Sequence, residues 1–474
     1  HRPRCRVQVS RSVASRVCRG PASESRPGNQ AGRSGRGAIM TTIEPAGTDR
    51  PVLIHLEDQR LGLVFFEVIV HGGSWDDPEG REGLADLTAL NLLRGTRRRS
   101  HAEVMDGFNN LGASVDVASH REYVTISGDF MPRYLDEFAS MLGEVLSSPT
   151  FPASEFRKEK ALALEDIRNL VNDDAELARH HFYRYLYGSG RDGRPSSGYY
   201  RTVSKLTPDD CRDYYKAHFV SGNVVVVLAG SVSRADAMRF ADAVTCGLPA
   251  GPCLVAPVLD EPTYNAGRVL IVDKPGRNQS QVVIGHPSIS WSCPELFGVL
   301  VGNTAFGGNY TSRLVMEIRE KRGWSYGVSS GISAGRDGGT LTMRFFPENR
   351  DLAPAFSLAI RLFSECASDG LLPREVEAAR NNLVRQYPFR IETVRKRADE
   401  EVADLVFRRP PGMMARFVEL VSAQDTDLVN AALRRHFRPP ELCTAIVGTA
   451  SGLMDDLAAV VGPNRIDVID YREE

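Results

Sequence analysis

Hydrophobic and polar positions along the chain fall into two rhythms. Short apolar runs alternate or run continuously; longer ones repeat at helical spacing. Residues 61–80, LGLVFFEVIVHGGSWDDPEG, read as a strand running into a Gly/Asp/Pro turn. Residues 82–94 follow as a helix, entered through Gly83 and closed by Gly95. SHAEVMDGFNNLG (100–112) opens on a Ser cap, and residues 113–130 alternate as a hairpin does. Two long helical patterns come next, YLDEFASMLGEVLSS and ASEFRKEKALALEDIRNLVND, then a capped helix at 206–219. NVVVVLAG (223–230) has the length and continuity of a buried strand.

At residues 246–267 the composition turns to Pro and Gly, as expected of a connector. Beyond it the grammar repeats. Strands are predicted at 268–274 and 281–287, a helix at 294–305, a Gly loop, a helix at 311–322, and strands at 324–332 and 339–346. Helices at 351–369, 372–388, 392–408 and 427–435 precede a last strand at 443–450. Each half closes alike: His218-Phe219 and His436-Phe437, then a strand ending at Gly230-Ser231 or Gly448-Thr449. The pattern points to an internal duplication of about 200 residues, longer than solenoid repeats. Hairpin-like strand pairs mixed with helices favour an α+β fold over a doubly wound one. The domain reading is therefore residues 1–50 as a leader, 51–245 as a first half, 246–267 as linker and 268–474 as a second half.

Composition changes this picture little. The 474 residues carry a net charge of −2, which gives no global pull toward nucleic acid or anionic membranes. No apolar run approaches the roughly 20 residues of a membrane helix. Eight scattered cysteines without a C-x-x-C pair suit reduced thiols, and so a cytoplasmic location. Residues 1–39 are rich in Arg, Ser and Gly with one acid, Glu24; such a segment cannot bury a core. They have the look of a transit peptide, yet Met40 reads as a natural start. The preferred expectation is non-native upstream sequence, the alternative a basic leader.

The frame GLADLTALNLLRGT (83–96) resembles the zinc helix of the insulinase/pitrilysin peptidases, whose active members carry H-x-x-E-H. Gly83, Leu84, Ala85, Gly95 and Thr96 match that frame. Asp86 and Leu90 stand where two His ligands belong, and Ala89 where the general base belongs. The third ligand of the family falls on Asp166 of EKALALEDI, 76 residues after Leu90, with Glu159 at a position that is usually acidic. Two carboxylates and a Leu do not make a catalytic zinc site, so no metal is expected in this chain. The pair His180-His181 cannot chelate together, since neighbours on a helix point about 100° apart. His55, His71, His101 and His120 fall in no ligand spacing.

The second half keeps more. NTAFGGNYTSRLVMEIREKRGWSYGVSS (303–330) resembles the family's C-terminal signature, with Gly307-Gly308, Ser312-Arg313-Leu314, Arg319, Glu320, Arg322-Gly323 and Tyr326 in place. Spacing alone would make Arg319 a surface ion-pair partner and Tyr326 a core aromatic. The resemblance implies instead that both clamp a peptide backbone, the Arg as a donor fork and the Tyr as a hydroxyl donor. It further implies two homologous halves, each a mostly antiparallel sheet packed with helices, enclosing a chamber. The chain would be inactive alone. It would be the non-catalytic subunit of a heterodimeric zinc metallopeptidase, with the zinc in a paralogous partner bearing intact H-x-x-E-H. The short loop GGNYT is similar to bacterial rather than mitochondrial members. The alternative is a structural or peptide-binding protein of the same fold. Partners expected are that subunit and an unstructured peptide, not nucleic acid or membrane.

Overall fold

Twelve strands form two sheets in the computed structural model, which describes residues 50–60, 62–254 and 264–474, with the backbone of 41–44. The leader 1–39 and the middle of the linker lie outside the described residues. The first sheet holds β1 (Thr41–Glu44), β2 (Val52–Glu57), β3 (Val64–His71), β4 (Ser114–Ser119), β5 (Tyr123–Phe130) and β6 (Val224–Gly230). Its order is β1-β2-β6-β3-β5-β4. The second holds β7 (Val269–Asp273), β8 (Gln281–Ser288), β9 (Val328–Ala334), β10 (Gly339–Phe345), β11 (Cys443–Gly448) and β12 (Ile466–Asp470), in the order β12-β7-β11-β8-β10-β9.

The two orders superimpose strand for strand over five positions. β2 runs parallel to β6 as β7 does to β11. β3 pairs antiparallel with β5 and β6, and β8 with β10 and β11. β4 and β9 are the matching edges. The outermost strand differs: β1 precedes β2 and is antiparallel to it, whereas β12 comes last and is parallel to β7. The duplication suggested by the chain's repeating grammar is thus a repeat of topology, and both sheets are mostly antiparallel, as an α+β fold requires.

The strands β7, β8 and β11 of the second sheet are buried on both faces. Side chains alternate across a strand, so Val269, Ile271, Val282, Ile284 and Ile446 face one way. Leu270, Val272, Val283, Cys443, Ala445 and Val447 face the other. Helices that include Asn349–Ser368 and Thr426–His436 cover the first face. The second is covered by the helix Asp174–Tyr187, through Leu177, Ala178, Phe182 and Leu186. That helix is capped by the Asp173 carboxylate, which accepts from the N–H groups of Ala175 and Glu176 at 3.0 Å. Its rim is tied down by polar contacts. The buried Lys274 ammonium reaches Asp174 at 2.5 Å, and the Tyr187 hydroxyl lies 2.7 Å from Thr340 Oγ1.

The compact units do not simply follow chain order. Among the described residues, one compact unit holds those up to 163 with 196–254, and the other holds 164–195 with 264–474. The physical reason is the open apolar face of the second sheet, which residues from earlier in the chain must cover.

Several predicted helices also prove shorter or interrupted. The segment 294–305 is an α-helix over Leu296–Asn303 that widens into a π turn at Thr304–Gly308. The segment 311–322 is one short turn, Arg313–Val315, followed by a π turn at Met316–Glu320. Among the described residues no helix is long and apolar enough to cross a membrane.

Gly285 of β8 lies under the covering helix; a Cβ there would come within 2.0 Å of the Leu341 carbonyl oxygen and 2.9 Å of Phe182 Cζ. Phe182 is fully buried in this contact. Phe182→Ala should lower stability by about 3–5 kcal/mol, read as a shift of the urea midpoint with the slope unchanged.

Candidate functional site

The helix Leu84–Asn91 carries the positions of the zinc motif. Its entry is built around Asp77, whose buried carboxylate accepts from Gly83 N at 2.7 Å and Ala85 N at 2.8 Å. Gly83 has φ 94, and a Cβ there would lie 2.7 Å from the Ser197 carbonyl oxygen. Only glycine fits this turn without strain. Within the helix the Thr88 hydroxyl donates to Leu84 O and the Asn91 amide to Leu87 O. At the exit, Thr96 Oγ1 accepts from the N–H groups of Arg98 and Arg99 and donates to Glu144 at 2.5 Å. Every matched frame residue thus has a structural job: Gly83 and Gly95 in positive-φ turns, Leu84 and Ala85 in the core, Thr96 at the exit turn.

The motif positions themselves offer little chemistry. Ala89 is buried, while Leu90 and Asp86 are half-buried. Asp166 is exposed on the helix Ala153–Asn169. Glu159 of that helix is buried in an ion pair with Arg94, 3.0 Å away. Alanine and leucine have no ligand atom. Among the described residues, neither Asp86 nor Asp166 belongs to a cluster of three or more metal-donor side chains. The donor set does not fit a catalytic zinc ion, and no step is assigned to these positions.

Four of the histidines are engaged in contacts of their own. His55 Nε2 lies 2.9 Å from Val232 O, and His101 Nδ1 lies 3.0 Å from Leu93 O. The rings of His180 and His181 meet edge to face at 5.2 Å. Burial pushes them down to about 4 and about 3, so both stay neutral.

The conserved-looking stretch of the second half is assembled differently. Asn303 closes its helix by gripping Ser330 of β9: Ser330 Oγ donates to Asn303 Oδ1 at 2.5 Å. Gly307 must pass this strand closely, since a Cβ there would lie 2.5 Å from Ser330 Cβ. Arg313 forms a two-pronged pair with Glu375 at 2.7 and 2.9 Å and reaches Gly370 O. It anchors the segment rather than serving a ligand. Leu314 and Ile318 plug the core, which leaves Arg319 on the outer side of the π turn. Such turns recur at functional sites.

Arg319 and Tyr326 come together. The guanidinium carbon lies 4.7 Å from the Tyr326 ring centre and Nε 3.5 Å from Glu320. Tyr326 is 79 % exposed, so the expectation from spacing, a core aromatic, is corrected. Its ring stays largely in solvent: β9 begins two residues later and Gly323, φ 65, turns the chain just before it. A third residue escaped the sequence reading. Tyr310, 80 % exposed, places its ring 5.6 Å from the same guanidinium. It stands inside GGNYT, where a bulky aromatic in a glycine loop was the available clue. The cation therefore lies near two exposed tyrosine rings, contacts that charge favours.

Asp77 supplies a test of the helix entry. Burial lifts its carboxyl to about 7, against the pull of the backbone N–H groups of Ala85, Gly83 and Leu84. The folded chain then holds a proton that the unfolded chain releases. The stability from this group is complete below about pH 4 and declines as pH rises through about 7. Asp77→Asn should flatten that decline, and Asp77→Ala should cost about 1–2 kcal/mol at either end. Urea midpoints at pH 5 and pH 8 measure both; an unchanged pH slope in the Asn variant would remove Asp77 as its source.

Two sequence profiles match. That of the insulinase family, peptidase family M16, covers residues 59–197, and that of the peptidase M16 inactive domain covers 205–383. The chain is 27 % identical to an uncharacterized zinc protease of Streptomyces coelicolor over 313 residues, covering 65 % of this chain and 67 % of that one. It is 23 % identical to the non-peptidase homolog YmxG of Helicobacter pylori over 400 residues, 83 % of this chain and 91 % of that one. The crystal structure of a peptidase M16 inactive domain from Pseudomonas fluorescens superimposes with a TM-score of 0.79 at 22 % identity, covering 87 % of this chain and 98 % of that one. The twin sheets and the helix frame at 83–96 agree with these matches, and the chain belongs to the insulinase family of peptidases, M16.

Proposed function

We propose that this chain is the non-catalytic, substrate-binding subunit of a heterodimeric zinc metallopeptidase acting on unstructured peptides. One contrast carries the reading: a zinc helix without ligands at 86, 89 and 90, beside an Arg319–Tyr326 pair presented to solvent. Zinc and the general base come from a paralogous, bacterial-type partner with intact H-x-x-E-H, where the metal polarises water and the scissile carbonyl.

The part played by this chain is to bind and orient. Arg319 offers a rigid donor fork to peptide carbonyls, and Tyr326 offers a hydroxyl. The two tyrosine rings beside the cation limit its rotamers, so less freedom is lost on binding. Edge strands are natural docks for an extended peptide, and β4 and β9 are such edges; β9 begins just after Tyr326. No apolar span and no strong charge argue for membrane or nucleic-acid partners, in keeping with a cytoplasmic subunit.

Purified chain mixed with the H-x-x-E-H paralogue should cleave a peptide that neither cleaves alone. Arg319→Ala should then lower kcat/KM by about 10–100-fold, the value of a charge-assisted hydrogen bond or two. Circular dichroism should be unchanged. Full activity in the mixture with Arg319→Ala and Tyr326→Phe combined would overturn the clamp. The relative named a non-peptidase homolog favours the second reading, a structural or peptide-binding protein of this fold. Recovery of only a homodimer from the native host, with no cleavage in any mixture, would favour it.

A further inference from the structure

Cys293, Glu295 and His436 converge in the second half, far from the zinc motif in sequence and unused by the clamp. Cys293 Sγ lies 3.5 Å from Glu295 Oε2 and 3.8 Å from His436 Nε2. Nε2 and Oε2 are 3.6 Å apart, too long for a direct hydrogen bond. A tetrahedral zinc ion, with bonds of about 2.3 Å to sulfur and about 2.0–2.1 Å to nitrogen or oxygen, separates its donors by about 3.3–3.6 Å. The three atoms already stand close to the corners of one face of such a tetrahedron. We infer that these three side chains form a surface site for a single zinc ion, with the fourth position open to water.

The scaffold holds the donors in place. Cys293 and Glu295 lie on the turn into the helix Leu296–Asn303, where Leu296 N donates to Cys293 O at 3.1 Å. His436 is the last residue of the helix Thr426–His436. The two helices pack closely at glycines: a Cβ on Gly298 would lie 2.9 Å from Ala432 Cβ, and one on Gly302 2.6 Å from Leu433 Cδ2. Arg435 bonds Glu295 Oε1 and so orients the carboxylate, leaving Oε2 turned toward sulfur and imidazole. All three residues are half-buried, which gives an ion both low-dielectric walls and an entry path. Thiolate plus imidazole plus carboxylate selects zinc over magnesium or calcium. On binding, the S–H bond of Cys293 breaks, sulfur keeps the electron pair for the metal, and one proton leaves to solvent. The ion would pin the end of one helix, at His436, to the start of another, at Leu296, 140 residues away in sequence.

Cobalt(II) serves as a visible stand-in for zinc. Titrated into the chelator-treated full chain, it should give a thiolate-to-cobalt charge-transfer band saturating at one ion per chain and erased by zinc. Cys293→Ser should abolish the band, His436→Gln should weaken cobalt binding at least about 10-fold, and Cys246→Ser should leave it intact. Zinc at 100 times its Kd should raise the Tm of wild type by about 5 °C and that of Cys293→Ser not at all. Should either variant fail to fold, X-ray absorption of the zinc-loaded wild type decides: one sulfur with nitrogen and oxygen neighbours supports the site. A shell without sulfur, a band that survives Cys293→Ser, or no band from folded wild type would each overturn it.

Discussion

Two-sided burial of β7, β8 and β11 in the second sheet is the constraint on which the rest of that unit depends. A strand whose alternate residues are all apolar cannot leave either face in water. Leu270, Val272, Val283, Cys443, Ala445 and Val447 need a lid, and Phe182 with Leu177 and Leu186 is that lid. Hydrophobic transfer of about 25 cal/mol per Å² makes this cover worth several kcal/mol, more than any polar contact at its rim. Lys274, Tyr187 and Asp173 fix where the lid sits; apolar area decides that it sits there. Residues 164–195 and the second sheet therefore form one stable body, and a cut at the Pro/Gly connector would expose an apolar face.

Given that body, the duplicated halves have drifted on a shared frame. The helix Leu84–Asn91 follows β3 as Leu296–Asn303 follows β8, and each leads to a glycine, at 95 and at 307. Around the first helix the polar groups turn inward: Asp77, Thr88, Asn91 and Thr96 all bond backbone or other side chains of the same unit. Around the second motif the core plugs and the anchor Arg313 turn inward while Arg319, Tyr310 and Tyr326 turn outward.

Much of this was legible in the chain. The buried run at 223–230, the hairpin at 113–130 and the twin endings at His218-Phe219 and His436-Phe437 mark β6, the β4–β5 pair and the repeat. Legibility failed where the deciding contact is distant. Helix Asp174–Tyr187 shows apolar spacing, but its partner strands lie about 100 to 270 residues later, so no local pattern assigns it to the second sheet. β12 reads IDVID, with its two aspartates three apart and so no strict strand alternation, and joins its sheet through the parallel partner β7. The π turns escaped because a widened turn has no composition of its own. Tyr310 was hidden because an aromatic in a glycine loop acquires meaning only through what it faces.

The contrast between the two motifs also separates what folding retains from what folding does not explain. Gly83 and Thr96 would persist in a protein with no function, because a Cβ at 83 meets a backbone carbonyl and Thr96 closes the exit turn. The same holds for Asn303, Gly307 and Arg313. It does not hold for the two tyrosines. Each leaves about four-fifths of a large aromatic side chain in water. An exposed cation–π contact returns only about 0.5–1 kcal/mol, which a charged residue in the same turn could match through an ion pair. Folding energy is indifferent to Tyr310 and Tyr326, and binding is the economical reason for two exposed rings held near one guanidinium.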